Sequence, residues 1–197
     1  MPSLTDRAEG LSRWLRLQLL GARLTSPDDY RPEAVEETLA QIRLLFGPGR
    51  YFDLEVRGWE NVPPAPSMVV MNHSGGTTIP DIWGFGVSWY RHFGVDRPIH
   101  FAAHDMILAT AATRRYFGSR GVLRGSRHVA RRVLAGYRRD LMVMPGGDVE
   151  TWRPFSRRYE VRFGGRVGYA LTALRSGVPI VPVAHAGAHE TLIVLSD

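Results

Sequence analysis

From about residue 50 onward, short apolar runs alternate with stretches in which apolar residues recur at helical spacing. Strand and helix in regular alternation leave few ways to bury both kinds of apolar face, and the usual one is a parallel sheet covered by helices. The chain therefore reads as an α/β protein. It should form a single domain with a mostly parallel central sheet flanked by helices, preceded by an N-terminal helical pair. Strands are expected near 51–57, 67–71, 98–103, 140–144 and 178–184, and helices over about 80–92, 105–117, 126–138 and 166–176. A chain of 197 residues with 44% hydrophobic content suits one core of this kind. The Pro-rich stretch Val62–Pro66 reads as a rigid turn between elements.

Residues 1–48 form a separate helical segment in this reading, and 49–197 the main domain. Leu11, Trp14, Leu15, Leu19 and Ala22 share one helical face, with Arg13, Arg16 and Arg23 opposite. Such a basic amphipathic helix suits either a membrane surface or packing on a core. Pro32 opens a second helix with Glu33, Glu36 and Glu37 in its first turns, and Gly47 closes it. No run reaches the roughly 18 apolar residues needed to cross a bilayer, and the N-terminus lacks the apolar core of a secretory signal. The expected location is the cytosol, against the cytoplasmic side of a membrane.

The absence of cysteine excludes disulfides, thiolate metal sites and a cysteine nucleophile, so nucleophilic chemistry must use oxygen or nitrogen. Lysine is also absent, and the net charge of +6 is carried by 25 arginines, whose planar guanidinium suits bidentate capture of phosphate or carboxylate. Fourteen of them fall within residues 114–166 against four acids. That local positive field fits an anionic partner such as a phosphorylated substrate, anionic lipid, acidic carrier protein or nucleic acid, and fits a solvated arginine face as well.

In a parallel α/β sheet, ligands bind beyond the carboxyl ends of the strands, which directs attention to the loops after Met71, Met144 and Val183. The first reads Asn72-His73-Ser74-Gly75-Gly76-Thr77-Thr78-Ile79-Pro80-Asp81. If it folds back, Asp81 accepts a hydrogen bond from one imidazole nitrogen of His73 and leaves the other as a base. Asp81 also suits the first turn of a helix for electrostatic reasons alone. A competing reading makes Ser74 a hydrolase nucleophile, since the segment differs from a G-x-S-x-G elbow only at its first glycine, with Asp148 and His185 or His189 in triad order. Against it, Thr77–Ile79 delay the helix and too few strands precede the serine.

The second loop, Pro145-Gly146-Gly147-Asp148-Val149-Glu150, allows close backbone approach to a ligand, and Arg127, Arg153, Arg157, Arg158 and Arg166 flank it. The pairs His100/His104 and His185/His189 have helical metal-ligand spacing but begin in expected strands, so no metal site is expected. Tyr116, Phe117, Tyr137 and the arginine-rich helix 126–138 lack any nucleic-acid-binding signature, and nucleic acid is not an expected partner.

Taken together, Asn72–Gly76 with Pro80-Asp81, Gly121–Ala130, Pro145–Glu150 and Val178–Val183 resemble the four blocks of the phospholipid/glycerol acyltransferase family, in the family's order. Phe163–Tyr169 and Gly187–Glu190 look most like the branch containing monoacylglycerol and diacylglycerol acyltransferases and their bacterial relatives. The resemblance spans about residues 50–190. It departs from the phospholipid branch in the seven residues between His73 and Asp81, where that branch has four, and in Gly146-Gly147 replacing a glutamate-glycine block. Members of the family normally continue beyond the apolar run Thr191–Leu195, so a truncated C-terminus is expected.

The resemblance implies a glycerol-3-phosphate acyltransferase-like fold and transfer of a fatty acyl group from acyl-CoA or acyl carrier protein to a hydroxyl of a glycerolipid or lysophospholipid-like acceptor. No bound cofactor and no acyl-enzyme are implied. His73 takes the role of general base and Asp81 orients its ring. Arg127 and Arg166 bind anionic groups, while Gly146, Gly147 and Glu150 shape the acceptor side. The alternatives are a Ser74-dependent lipid esterase and a non-catalytic module that binds anionic lipid or nucleic acid.

Overall fold

The computed structural model describes residues 25–195, and the expected basic helix around Leu11–Ala22 lies outside them. Helix α1 (Pro32–Ile42) opens on Pro32 as expected and buries Val35, with Leu39 packed beside it against the core. It stops short of Gly47. Phe46–Gly47 (β1) instead pairs with Phe52–Asp53 (β2) in a small two-stranded piece apart from the main sheet. The strand expected over 51–57 is thus reduced to two residues. Residues 54–57 find no strand partner among the described residues, and the left-handed Gly58 ends the extended run.

The main sheet contains β3 (Met68–Met71), β4 (Ile99–Ala103), β5 (Val122–Arg124), β6 (Asp140–Val143) and β7 (Ile180–Val183). All pairs are parallel and the order is β5-β4-β6-β3-β7. The intervening helices are α2 (Pro80–Phe93), α3 (Ala111–Gly118), α4 (Arg127–Arg131, continued by a π turn to Gly136), α5 (Gly147–Thr151) and α6 (Gly168–Ser176). The single-domain α/β expectation is met. Strand β5 is an addition, since three residues between Gly121 and Gly125 carry almost no periodic signal. The helix expected over 105–117 is split, because Thr110 accepts a hydrogen bond from the Thr113 N–H at 3.1 Å and caps a new helix there.

Alternation along β3 separates two cores. Val69 and Met71 face α2, where they pack with Phe85, Trp89 and Tyr90, whereas Met68 and Val70 face Val133, Leu134 and Ala173 on the other side. Full burial of side chains such as Trp89, Met68 and Leu134 is worth about 1.5–3 kcal/mol each for the aliphatic ones. At the amino end of the sheet, the buried Asp140 accepts hydrogen bonds from the Ser67 N–H at 2.8 Å, the Ser67 hydroxyl at 2.7 Å and Arg97 Nε at 2.9 Å. These contacts fix β3 against β6 at the first rung.

From the adjacent strands β3 and β6 the chain departs in opposite directions, toward β4 and toward β7. Right-handed crossovers then place their helices on opposite faces and leave a crevice at the carboxyl ends of these two strands. The two glycine-containing loops open into that crevice.

Candidate active site

Beyond Met71 the chain folds back on itself at Gly75. This residue has φ +93°, and a Cβ on it would sit 2.5 Å from Pro80 Cδ, so only glycine lets the loop return so closely. Ile79 then adopts a left-handed conformation (φ 41°, ψ 49°), a strained choice for a β-branched residue that costs about 1–3 kcal/mol. The strain sets the direction of α2, whose first turn carries Asp81 under the loop. The His73 ring Nδ1 lies 2.7 Å from Asp81 Oδ2. The two side chains are thus brought into contact as expected, and His73 Nε2 makes no hydrogen bond with the described residues.

The Asp81 side chain has no solvent exposure and that of His73 only 13%. Asp81 Oδ2 also accepts the Ser74 N–H at 2.9 Å, and Oδ1 accepts the Ile82 N–H at 2.8 Å. Burial pushes the carboxyl up, but hydrogen bonds from His185 and His73, the charge of the His73 ring and the Ser74 N–H outweigh it. The group is held well below the usual carboxylate range. It is an anion poised to stabilise an imidazolium.

His73 is fixed through its backbone as well. The expected turn after β6 is in fact the helix α5, which sends Glu150 back beneath the first loop. Glu150 Oε2 accepts the His73 N–H at 2.9 Å, and Oε1 accepts the Arg162 N–H at 2.9 Å. Arg153 Nη1 donates to the His73 carbonyl at 3.3 Å and lies 3.5 Å from Glu150 Oε1. Both Glu150 and Arg153 are buried. Glu150 thus does not line the acceptor side as expected. It is a strut under His73, and Gly146 supplies the space: a Cβ there would lie 2.3 Å from Glu150 Oε2 and 2.4 Å from Glu150 Cβ.

His73, Gly147, Arg127 and Arg166 share the lining of one cleft of about 740 Å³, within the usual size of a small-molecule site. Arg127, exposed at the start of α4, has no hydrogen bond or ion pair with the described residues. Arg166 is partly committed, donating to the carbonyls of Pro145 and Gly146 at 3.0 Å each and approaching Asp148 at 3.5 Å. Apolar side chains line much of the remaining wall, among them Leu39, Ile82, Trp83, Val87, Phe101 and Ile107.

Ser74 is buried, and its hydroxyl lies 3.3 Å from His185 Nε2. That same ring nitrogen is 3.4 Å from Asp81 Oδ2. A serine triad needs both nitrogens of its histidine, one for the serine and one for the carboxylate, so this arrangement does not reproduce one. Asp148, the carboxylate suggested by chain order, is exposed and faces Arg166. Among the described residues no group of His, Cys, Asp and Glu could hold a metal ion. His100 is buried in β4 with Nδ1 3.2 Å from the Gly121 carbonyl.

The sequence places Arg153 only among the arginines of the second loop and gives Asn72, within the first, no role of its own. The side chain of Asn72 bonds both backbone groups of His185, at 2.9 and 3.0 Å, joining the loops after β3 and β7. The available signal was position: Asn72 directly follows β3 and His185 lies two residues beyond β7, both at the end of the sheet where ligands bind.

Residues 53–186 match the family named Acyltransferase, which covers the sheet and both glycine-containing loops. Uncharacterized proteins of Mycobacterium tuberculosis and Mycobacterium bovis are 28% identical over 148 residues, 75% of this chain and 41% of theirs. A Gallus gallus protein named DGAT1/2-independent enzyme synthesizing storage lipids is 27% identical over 157 residues, 78% of this chain and 45% of its own. The chain thus spans less than half the length of these relatives. No solved structure matches. With the match running from the end of β2 through the loop that bears His185, the chain belongs to the phospholipid/glycerol acyltransferase family.

Proposed function

We propose that this chain transfers a fatty acyl group from a thioester, acyl-CoA or acyl carrier protein, to a hydroxyl of a glycerolipid or lysophospholipid-like acceptor at a membrane surface. The observation that carries this reading is the 2.7 Å contact of His73 with Asp81, set in a cleft that also presents Arg127 and apolar walls. His73 Nε2 takes the proton of the acceptor hydroxyl as its oxygen attacks the thioester carbonyl. Asp81 stabilises the imidazolium formed. The C–S bond breaks, the imidazolium returns its proton to the departing thiolate, and an ester and a free thiol leave. General-base assistance of this kind contributes about 10²–10⁴ in rate, and alignment of two substrates in a water-poor cleft supplies much of the rest.

Arg127 suits the phosphates of the donor, since its guanidinium has no partner among the described residues. The apolar wall suits the acyl chain. Met106 and Trp152 both line the cleft while remaining 74% and 46% exposed, which supports seating of its mouth on a bilayer. The attachment proposed is peripheral, on the cytoplasmic side; no helix among the described residues is long and apolar enough to cross a membrane. The storage-lipid activity in the name of the Gallus gallus relative favours a neutral glycerolipid as acceptor over a glycerophosphate.

Labelled acyl-CoA, presented with monoacylglycerol, diacylglycerol and lysophospholipid in vesicles, tests the reading. His73→Ala should abolish ester formation while Ser74→Ala retains most of it. Dependence on Ser74 instead, with water as acceptor and labelling of Ser74 by a fluorophosphonate, would establish the esterase. Indifference to both substitutions, with lipid binding weakened by Arg127→Ala, would establish a binding module.

A further inference from the structure

Two imidazoles meet one carboxylate oxygen in this site. Asp81 Oδ2 lies 2.7 Å from His73 Nδ1 and 3.4 Å from His185 Nε2, and it also accepts the Ser74 N–H at 2.9 Å. His185 does not reach this place on a loose loop. Two residues beyond β7, its N–H and carbonyl are both bonded by the side chain of Asn72, which is itself buried and directly precedes His73. One residue therefore sets the spacing of both histidines from the carboxylate.

The ring nitrogen of His185 that faces Asp81 also faces the Ser74 hydroxyl at 3.3 Å. Beside an anionic carboxylate, that nitrogen carries the proton. A bare lone pair at the same place would be repelled, so the network assigns the tautomer. The other titratable groups near the carboxylate are His73, from the loop after β3, and the buried His189, from the turn after β7. Arg153 stands close to His189. Burial, then Arg153 and His185, push His189 down to about 4, so it is neutral beside the pair.

We infer that His185 is a positioning residue of the acyl transfer, donating Nε2–H to Asp81 Oδ2 so that the carboxylate stays oriented toward His73 and shares its charge between two rings. The inference rests on the reading of His73 as the base. Sharing has a definite consequence. With His185 removed, the whole attraction of Asp81 falls on His73, whose proton is then held more tightly, and the proton must be lost before the ring can act.

The test is the pH profile of kcat/KM for acyl transfer to a glycerolipid by the full chain carrying His185→Ala, His185→Gln or Ser74→Ala. His185→Ala should lower kcat about tenfold, a part of the 10²–10⁴ that a general base provides, and leave KM within about twofold. Its acid limb should move to higher pH. His185→Gln, which keeps an N–H donor, should lie between it and the unsubstituted chain in both rate and limb. Ser74→Ala should leave the limb in place. An unchanged rate and limb in His185→Ala overturns the inference. So does a fall in kcat with an unmoved limb in both His185 variants, the signature of a merely structural contact. If His185→Ala fails to fold, the limb of His185→Gln decides alone. Full activity in His73→Ala would show instead that the base itself is misassigned.

Discussion

Gly146 offers the sharpest test of how the fold holds His73. Its backbone is ordinary (φ −65°), so alanine meets no conformational penalty there. The added methyl, however, falls 2.3 Å from Glu150 Oε2, 2.7 Å from Glu150 Cδ and 2.4 Å from Glu150 Cβ. Because the clash includes Cβ, rotating the carboxylate does not relieve it, and the first turn of α5 must shift. Overpacking of this kind costs about 1–3 kcal/mol. Loss of the charge-assisted bond to the His73 N–H adds about 1.5–3 kcal/mol. The sum, about 2.5–6 kcal/mol, lowers the melting temperature by roughly 5–24 °C in a chain of this size. Displacement of His73 by an ångström also reduces kcat by about 10²-fold. Thermal unfolding followed by circular dichroism measures the first effect and acyl transfer at a temperature where the variant is folded measures the second. The decisive comparison is a double-mutant cycle. In a Glu150→Gly background, which removes Cβ together with the carboxylate, the obstacle is gone, and Gly146→Ala should cost less than about 1 kcal/mol. Equal costs in the two backgrounds would refute the strut.

Other perturbations reach different parts of the account. Each methylene added to the donor chain should improve kcat/KM about fourfold, as expected for about 0.8 kcal/mol of burial per CH₂, until the cleft is full. Ile107→Trp should end that series at a shorter chain, as read by competition between acyl-CoA lengths, and an unchanged optimum would remove Ile107 from the acyl wall. His100, fully buried in β4, has its pKa pushed from 6.5 down to about 4 by burial, with Arg139 adding to it against the Gly121 carbonyl. The unfolded chain therefore binds a proton that the folded one refuses, so this contribution to stability is whole above about pH 6.5 and falls as the pH drops toward 4. At 1.36 kcal/mol per pH unit the loss approaches about 3 kcal/mol. Urea midpoints at pH 7.5 and 4.5 should differ less in His100→Gln, and an equal difference would contradict this. Asp81→Asn should cost at least about 10²-fold in kcat, since it removes the charge that stabilises the His73 imidazolium.

Much of this site was legible in the sequence because its chemistry lies at strand ends. Apolar runs located β3, β4, β6 and β7, and the strands' parallel packing directed attention to the loops after Met71, Met144 and Val183. The pairing of His73 with Asp81 across seven residues followed from the glycines that let the loop return. The support beneath it did not. Glu150 in a glycine-rich turn resembles a solvent-facing carboxylate, and only the formation of α5 turns it inward to meet His73, Arg162 and Arg153. The contact of Asn72 with His185 joins residues more than a hundred positions apart, which no local pattern encodes. Strand β5 escaped for a different reason, being three residues long and stabilised by pairing to β4 more than by its own alternation.

The central claim is that His73 presents a bare Nε2 while Asp81 holds the proton on Nδ1. Nitrogen-15 shifts of the His73 ring in the labelled full chain at neutral pH read this tautomer directly. The expected shifts are those of a pyrrole-type Nδ1 and a pyridine-type Nε2. The reverse assignment, with the proton on Nε2, would contradict it, because a ring so protonated has no lone pair to offer the acceptor hydroxyl.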